Sequence, residues 1–344
     1  MSNYDDDAVV TRDNLNALSP SMCMAKWLQV SLHLPQGRTH SCYHPPTHAI
    51  PLDELKANPN ALHNTQFKLQ ERKQMKEGTR PEGCQYCWNV EDAPNPPEGG
   101  RLSDRHYRSS EWWVKDAWDE VVNNPWDHDI TPRYVEVNFN QACNFKCSYC
   151  SPHLSTTWED DVKEHGGFRF SNGTGHNDID YLRKTGLMPL EVARRDNLYI
   201  EAFWEWFPKV YQDLKVFRMT GGEPLMDNNT FKVLDYVNEN PNATLDLSIT
   251  SNMCPPQDAL FEKFLDKLKA IEKVRVWEDT DKFNPDSGNY WYVAPACKHF
   301  SLYVSIDSAG EQAEYLRDGL DFDKMYQNCR RVLSETDGTE ISFI

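Results

Sequence analysis

The chain has no apolar run close to the roughly 20 residues that cross a bilayer, so no membrane span is expected. Its first residues, MSNYDDDAVVTRD, are acidic and lack an apolar segment, so no secretory signal is expected and the location expected is cytoplasmic. Basic residues are also scarce. Lys and Arg total 36 against 53 Asp and Glu, a formal net charge of −17. Binding to a phosphate backbone relies on basic patches, so nucleic acid is not an expected partner. Internal repeats and low-complexity tracts are missing too. What is present suits a folded protein: 344 residues, 39% hydrophobic and 12% aromatic, enough for one large domain and a smaller one. There are ten cysteines. In a chain without an export signal they point to metal or iron–sulfur binding rather than disulfides. Seven fall in patterned spacings, and Cys254, Cys297 and Cys329 read as small buried hydrophobes.

Residues 1–100 are rich in loops. KWLQVSLHL (26–34) alternates as a strand with Trp27 out of phase, PQG (35–37) turns, and RTHSCYH (38–44) returns as a hairpin partner. LQERKQMKEG (69–78) reads as a short helix ended by Gly78. PNPPEGG (94–100) marks a boundary. A linker follows over 101–133, with a helix at 111–124 that puts Trp112, Trp113, Ala117, Val121 and Val122 near one face. From residue 134 strands and helices alternate. Strands are expected at 134–140, 215–220, 243–252, 300–307 and 339–344, and helices at 200–211, 228–240, 257–271 and 322–335. Such alternation implies parallel pairing and right-handed crossovers. Two stretches, 152–198 and 277–298, read as polar insertions. In parallel α/β architectures the working groups gather at the carboxyl ends of strands. CNFKCSYC, TGGEP, TSNM and SIDS each end one of the first four strands.

CNFKCSYC (143–150) places Cys143, Cys147 and Cys150 on one loop. Thiolates suit iron–sulfur clusters or zinc. A structural zinc site wants four protein ligands, and His153 and Asn144 are poorly placed to be the fourth. A [4Fe–4S] cluster on three cysteines keeps one iron open to a small molecule.

The pattern CX3CXΦC after a first strand, with Tyr149 as Φ, followed by GGE after the second, resembles the radical S-adenosylmethionine (SAM) superfamily over residues 134–344. The resemblance implies a partial (β/α)6 TIM-like barrel and a [4Fe–4S] cluster on Cys143, Cys147 and Cys150, with SAM on the fourth iron. It implies reductive cleavage of SAM to a 5′-deoxyadenosyl radical that takes a hydrogen atom from substrate. Gly221, Gly222 and Glu223 would meet the methionyl amine. Ser251, Asn252, Ser305 and Asp307 would face the ribose and methionyl group. Arg317 would pair with the SAM carboxylate, and Tyr149 would lie against the adenine.

A second set, Cys23, Cys42, Cys84 and Cys87, supplies four thiols. Alone they could hold zinc or a fully ligated [4Fe–4S] cluster. The eighteen residues between Cys23 and Cys42 fit a zinc ribbon poorly, and the CX13GX4C arrangement resembles the twitch and SPASM auxiliary-cluster modules, here placed before the barrel. His40, His44 and His48 lie near Cys42, and read as packing or solvated histidines. Only five barrel strands are found where six are implied, so either a truncated reading frame or a partner-closed barrel is expected. The resemblance further implies a reductase or a flavodoxin- or ferredoxin-type electron donor, and a peptide or protein as the first substrate class to test. The alternative from another class is a non-catalytic zinc or iron–sulfur scaffold or electron-transfer protein.

Overall fold

The computed structural model describes residues 3–97, 99–168, 177–191, 196–278 and 290–344. They form two units, residues 1–136 with 196–216, and residues 137–195 with 217–344.

The first unit opens on helix α1 (Asn3–Leu18), where the sequence had suggested mainly loops. One helical turn, α2 (Ala25–Leu28), runs straight into strand β1 (Gln29–His33). The strand expected over 26–34 is therefore split, and Trp27 is out of phase because it belongs to the helical turn. β1 pairs antiparallel with β2 (Arg38–His40), which pairs with β3 (His48–Ala49), so the expected hairpin is present. Its turn uses Gly37 at φ +59°, where a Cβ would strike the ring of Tyr199. Helix α3 (Leu52–Ala57) precedes α4 (Gln66–Lys76), which is capped by the Thr65 side chain accepting from the Lys68 N–H and is followed by Gly78 at φ +80°. Next come α5 (Gln85–Glu91) and α6 (Asp104–Ser110). The expected linker helix is a 3-10 turn, Trp112–Ala117, running into α7 (Trp118–Asn123). Trp113 enters the core with Trp27, Leu28, Met75, Val114 and Val121, whereas Trp112 stays 40% exposed. Strand β4 (Tyr134–Asn138) crosses from this unit into the next.

In the second unit, β5 (Lys146–Cys147) is followed by α8 (Thr156–His165) and α9 (Ile179–Lys184). The stretch 152–198 is thus partly helical, not only loop. Ser155 starts α8 by accepting from the Trp158 N–H, a short-range capping bond that polar composition conceals. Residues 169–176, which carry most of SNGTGHND, lie outside the described residues. Helix α10 (Leu198–Val210) groups with the first unit, where the Tyr199 hydroxyl donates to the Ile50 carbonyl at 3.2 Å.

The alternation then runs as expected: β6 (Val216–Thr220), α11 (Asn228–Glu239), β7 (Asn242–Ser251) and α12 (Asp258–Glu272). The second insertion carries a hairpin, β8 (Val274–Glu278) with β9 (Tyr290–Ala294), and residues 279–289 lie outside the described residues. β10 (Cys297–Val304), α13 (Gly310–Leu316), β11 (Arg317–Asp318), α14 (Phe322–Glu335) and β12 (Thr339–Phe343) complete the chain. The long strands lie in the order β12, β10, β7, β6, β4, with β10 parallel to both β7 and β12. The result is a mixed α/β architecture built on parallel strands. Cys254, Cys297 and Cys329 are buried, as small hydrophobes would be. Among the described residues no helix is long and apolar enough to cross a membrane.

Burial in the first unit keeps several imidazoles neutral. It lowers His48 to about 3 and His106 to about 4, and holds His63 well below the ordinary histidine value, with Lys68 and Arg72 adding to the effect on His63. An unfolded histidine titrates near 6.5. The neutral form favours the fold, so this stability is intact above about pH 6.5 and is lost as pH falls towards 4. Denaturant midpoints should therefore drop between pH 7.5 and pH 5, and a His48→Gln variant should show a smaller drop. An equal drop would show that His48 does not contribute.

Candidate functional site

Residues 139–155 leave the carboxyl end of β4 as the loop that carries Cys143, Cys147 and Cys150. A loop of this length does not order itself, so its conformation must come from bonds to its neighbours. After β6, Gly222 N–H donates to the Asn140 carbonyl at 3.3 Å and Glu223 N–H to the Ala142 carbonyl at 2.6 Å. Gly221 sits at φ +129°, where a Cβ would strike the Asn138 side chain. A Cβ on Gly222 would strike the Ala142 carbonyl. After β7, Asn252 Nδ2 donates to Asn144 Oδ1 at 3.1 Å, and Asn144 Nδ2 donates to the Cys254 carbonyl at 2.9 Å. After β10, β11 pairs antiparallel with β5, setting Arg317 opposite Cys147. Helix α8 closes the loop from its other end. Thr157 Oγ1 donates to the Cys143 carbonyl at 2.6 Å, Trp158 Nε1 to the Cys147 carbonyl at 2.9 Å, and Ser155 Oγ to the Phe145 carbonyl at 2.7 Å.

Two polar groups flank the thiols. Glu223 is 1% exposed, and both its carboxylate oxygens accept bonds: Oε1 from Ser251 Oγ at 2.7 Å and Leu225 N–H at 3.0 Å, and Oε2 from Asn252 N–H at 2.7 Å. Burial raises its pKa and these bonds oppose the rise. Burial, aided by the Glu223 charge, pushes the Cys143 thiol up to about 12. Around Cys147 the second group forms. Asp307 Oδ2 accepts from Arg317 Nε at 2.7 Å and from the Tyr149 hydroxyl at 3.0 Å. The Arg317 guanidinium lies 5.4 Å from the centroid of the Tyr149 ring, and its Nη1 is 3.9 Å from Cys147 Sγ. Burial raises the Cys147 thiol and the Arg317 charge lowers it. Ser305 joins this end through its N–H, which donates to the Ser251 carbonyl at 3.1 Å.

The second unit therefore gathers Ser251, Asn252 and Glu223 beside Cys143, and Tyr149, Asp307 and Arg317 around Cys147. The reading of sequence missed Asn144, Thr157, Trp158 and Gly319. The STTW segment (155–158) is an N-cap signal that could have revealed two of them. Gly319, whose Cβ would be 2.8 Å from the Asn144 carbonyl, left no such signal.

No protein-family model matches the chain. Over 159 residues, 46% of the chain, it is 27% identical to a GTP 3',8-cyclase of Trichodesmium erythraeum, over 39% of that protein. Over 165 residues, 47% of the chain, it is 22% identical to a GTP 3',8-cyclase of Syntrophomonas wolfei, over 38% of that protein. A GTP 3',8-cyclase of Staphylococcus epidermidis is 28% identical over 121 residues, 35% of the chain and 26% of that protein. These relatives are radical SAM enzymes. Over that stretch the chain is similar to enzymes of the radical SAM superfamily. It spans about two fifths of the length of the first two relatives. The crystal structure of Streptococcus suis SuiB bound to precursor peptide SuiA aligns over 92% of this chain and 55% of that one, at 13% identity and a TM-score of 0.29. A score that low carries no argument.

CNFKCSYC carries three thiols on one loop, and the neighbouring strand ends brace that loop. The donor set fits a [4Fe–4S] cluster, in which each thiolate takes its own iron.

The first unit holds the other four thiols. Cys23, Cys42, Cys84 and Cys87 line one pocket, together with Lys26, His44, Tyr86, Asp104, Arg105 and Arg108. Burial pushes Cys42 and Cys87 up to about 12 and Cys84 up to about 11, and the Lys26 ammonium opposes the shift at Cys84. His44 lines the pocket, but its Nε2 is 2.5 Å from Asp104 Oδ2 and its ring stacks on Tyr86. His48 is bonded to Thr65, and His40 to the Cys42 carbonyl. Among the described residues, no group of three or more His, Cys, Asp or Glu side chains is arranged to hold a single metal ion.

The close approach of Gly222 to Ala142 is testable. A Gly222→Ala variant must push the first part of the cysteine loop away. It should lose about 1–3 kcal/mol of stability and retain less iron at Cys143, Cys147 and Cys150 after anaerobic reconstitution, read by urea titration and by iron and sulfide assay. Wild-type values in both would show that the loop moves aside freely.

Proposed function

We propose that this chain reductively cleaves SAM at a [4Fe–4S] cluster on Cys143, Cys147 and Cys150, for hydrogen abstraction from a substrate. The observation that carries the reading is the fastening of one three-thiol loop to the carboxyl ends of β6, β7 and the return from β10. Whatever completes a cluster there meets Glu223 on one side and the Asp307–Arg317 pair on the other. When bound, the cluster supplies the electron that splits SAM into methionine and the 5′-deoxyadenosyl radical. The protein's part is positioning. Glu223 offers its carboxylate to the methionyl amine, with Ser251 and Asn252 holding that carboxylate in place. Arg317 offers a guanidinium to the SAM carboxylate, and Tyr149, held by Asp307, lies on the adenine side.

The reading extends to the whole chain as a partial (β/α)6 barrel over 134–344, a linker over 101–133 and a twitch-like module over 1–100. In that module Cys23, Cys42, Cys84 and Cys87 hold an auxiliary [4Fe–4S] cluster. The four thiols line one pocket, and they would give each iron of such a cluster its own thiolate. A flavodoxin- or ferredoxin-type protein is the proposed electron donor, and a peptide the proposed substrate.

The test is anaerobic reconstitution with iron and sulfide, then dithionite and SAM. 5′-Deoxyadenosine should form with wild type and with Cys84→Ala, and fall to background with Cys147→Ala. Bound zinc without iron–sulfur absorbance, and no SAM cleavage, would overturn the proposal in favour of a scaffold.

A further inference from the structure

The four-cysteine pocket has a charged floor that ligation alone does not call for. The side chain of Lys26 is 2% exposed, lines the pocket with the four thiols, and its Nζ lies 2.6 Å from Glu71 Oε2. Glu71 lines a separate open groove of the same unit, with Gln66, Gln70, Gln74 and Gly83. Lys26 thus lines the thiol pocket and Glu71 does not, although the Glu71 charge also acts on the Cys84 thiol. Gly83, immediately before Cys84, permits this spacing, since a Cβ there would be 2.6 Å from Glu71 Oε1. Lys68 and Arg72 of the same unit are also fully buried, where they donate to the carbonyls of Gln29 (2.9 Å) and Lys26 (3.1 Å), and burial lowers the pKa of each. A buried ion pair is weak evidence of stability, because desolvation of both charges offsets their attraction. The place of Lys26 in the pocket wall is the informative feature.

We infer that Lys26, held by Glu71, raises the reduction potential of the auxiliary cluster. The inference rests on reading Cys23, Cys42, Cys84 and Cys87 as ligands of that cluster. A cluster on four thiolates is anionic, and a one-electron reduction makes it more so. A fixed cation in a low-dielectric wall favours the more negative state, and a fixed anion disfavours it. Removing Lys26 takes away the near cation and leaves Glu71 uncompensated, so the potential falls. Removing the Glu71 charge leaves the cation unopposed, so the potential rises. A pair that only packs the wall would not give opposite signs.

The experiment uses the full chain with Cys143, Cys147 and Cys150 all changed to Ala, so that only the auxiliary signal is read. After anaerobic reconstitution, the reduced fraction is followed by electron paramagnetic resonance during titration with dithionite. Lys26→Met should lower the reduced-to-oxidised ratio at a fixed potential about tenfold, which is about 59 mV for a one-electron couple. Glu71→Gln should shift it the opposite way, and Lys26→Arg should keep the wild-type value. If Lys26→Met takes up no iron, the Glu71→Gln and Lys26→Arg results still decide. A cluster that forms with no shift in Glu71→Gln, or with both variants shifting the same way, overturns the role of Lys26 and leaves the auxiliary cluster standing. No cluster in the triple-alanine chain overturns the auxiliary-cluster reading and this inference with it.

Discussion

The backbone of Gly221 and Gly222 lies against residues 138–142, and no side chain larger than hydrogen fits between them. Much of the second unit's site follows from that contact. It lets Glu223 N–H reach the Ala142 carbonyl, which fixes the peptide immediately before Cys143. With its backbone held there, the Glu223 side chain turns into the protein and takes Ser251 and Asn252 from the end of β7. Asn252 in turn holds Asn144, inside the cysteine loop. The glycines do more than leave room for a ligand, because they bring two strand ends within hydrogen-bonding distance. Arg317 reaches Cys147 by a separate route, through the short β5–β11 pairing.

The first unit shows a different constraint, the burial of charge. Lys26, Lys68 and Arg72 are 2% exposed or less, and the carboxylate bonded to Lys26 is Glu71. Burial keeps the four neighbouring thiols in their neutral form when nothing is bound, since their pKa values lie well above neutrality. Metal binding demands thiolates, and thiolates at Cys42 and Cys84 would add negative charge beside Lys26. Cation burial and thiolate ligation therefore support each other, although each alone costs desolvation free energy.

Much of the secondary structure was legible along the chain. α14 spans the residues its apolar spacing indicated, and α11, α12 and β6 lie within a residue or two of theirs, because each obeys one period from end to end. The misses share a cause. α2 passes directly into β1 without a breaker between them, so one alternating strand was expected where the period changes. α8 starts from the single Ser155 cap inside a polar stretch, and its apolar face is too small to stand out. The hairpin of β8 and β9 was hidden in a segment that read as an insertion.

Cysteine spacing by itself singled out which thiols could act together. CNFKCSYC can present three to one centre whatever the fold, because eight residues cannot carry them far apart. Covalent reach also made GGE recognisable as a unit. Tertiary structure alone decided what surrounds those thiols. Asn144, Trp158 and Gly319 brace the loop, Asp307 joins Tyr149 to Arg317, and Lys26 lines the four-cysteine pocket and pairs with Glu71. Each of these except the local brace of Trp158 joins residues far apart in the chain. Local spacing carries no information about such partners, because they meet only when strands pair and glycines let backbones touch.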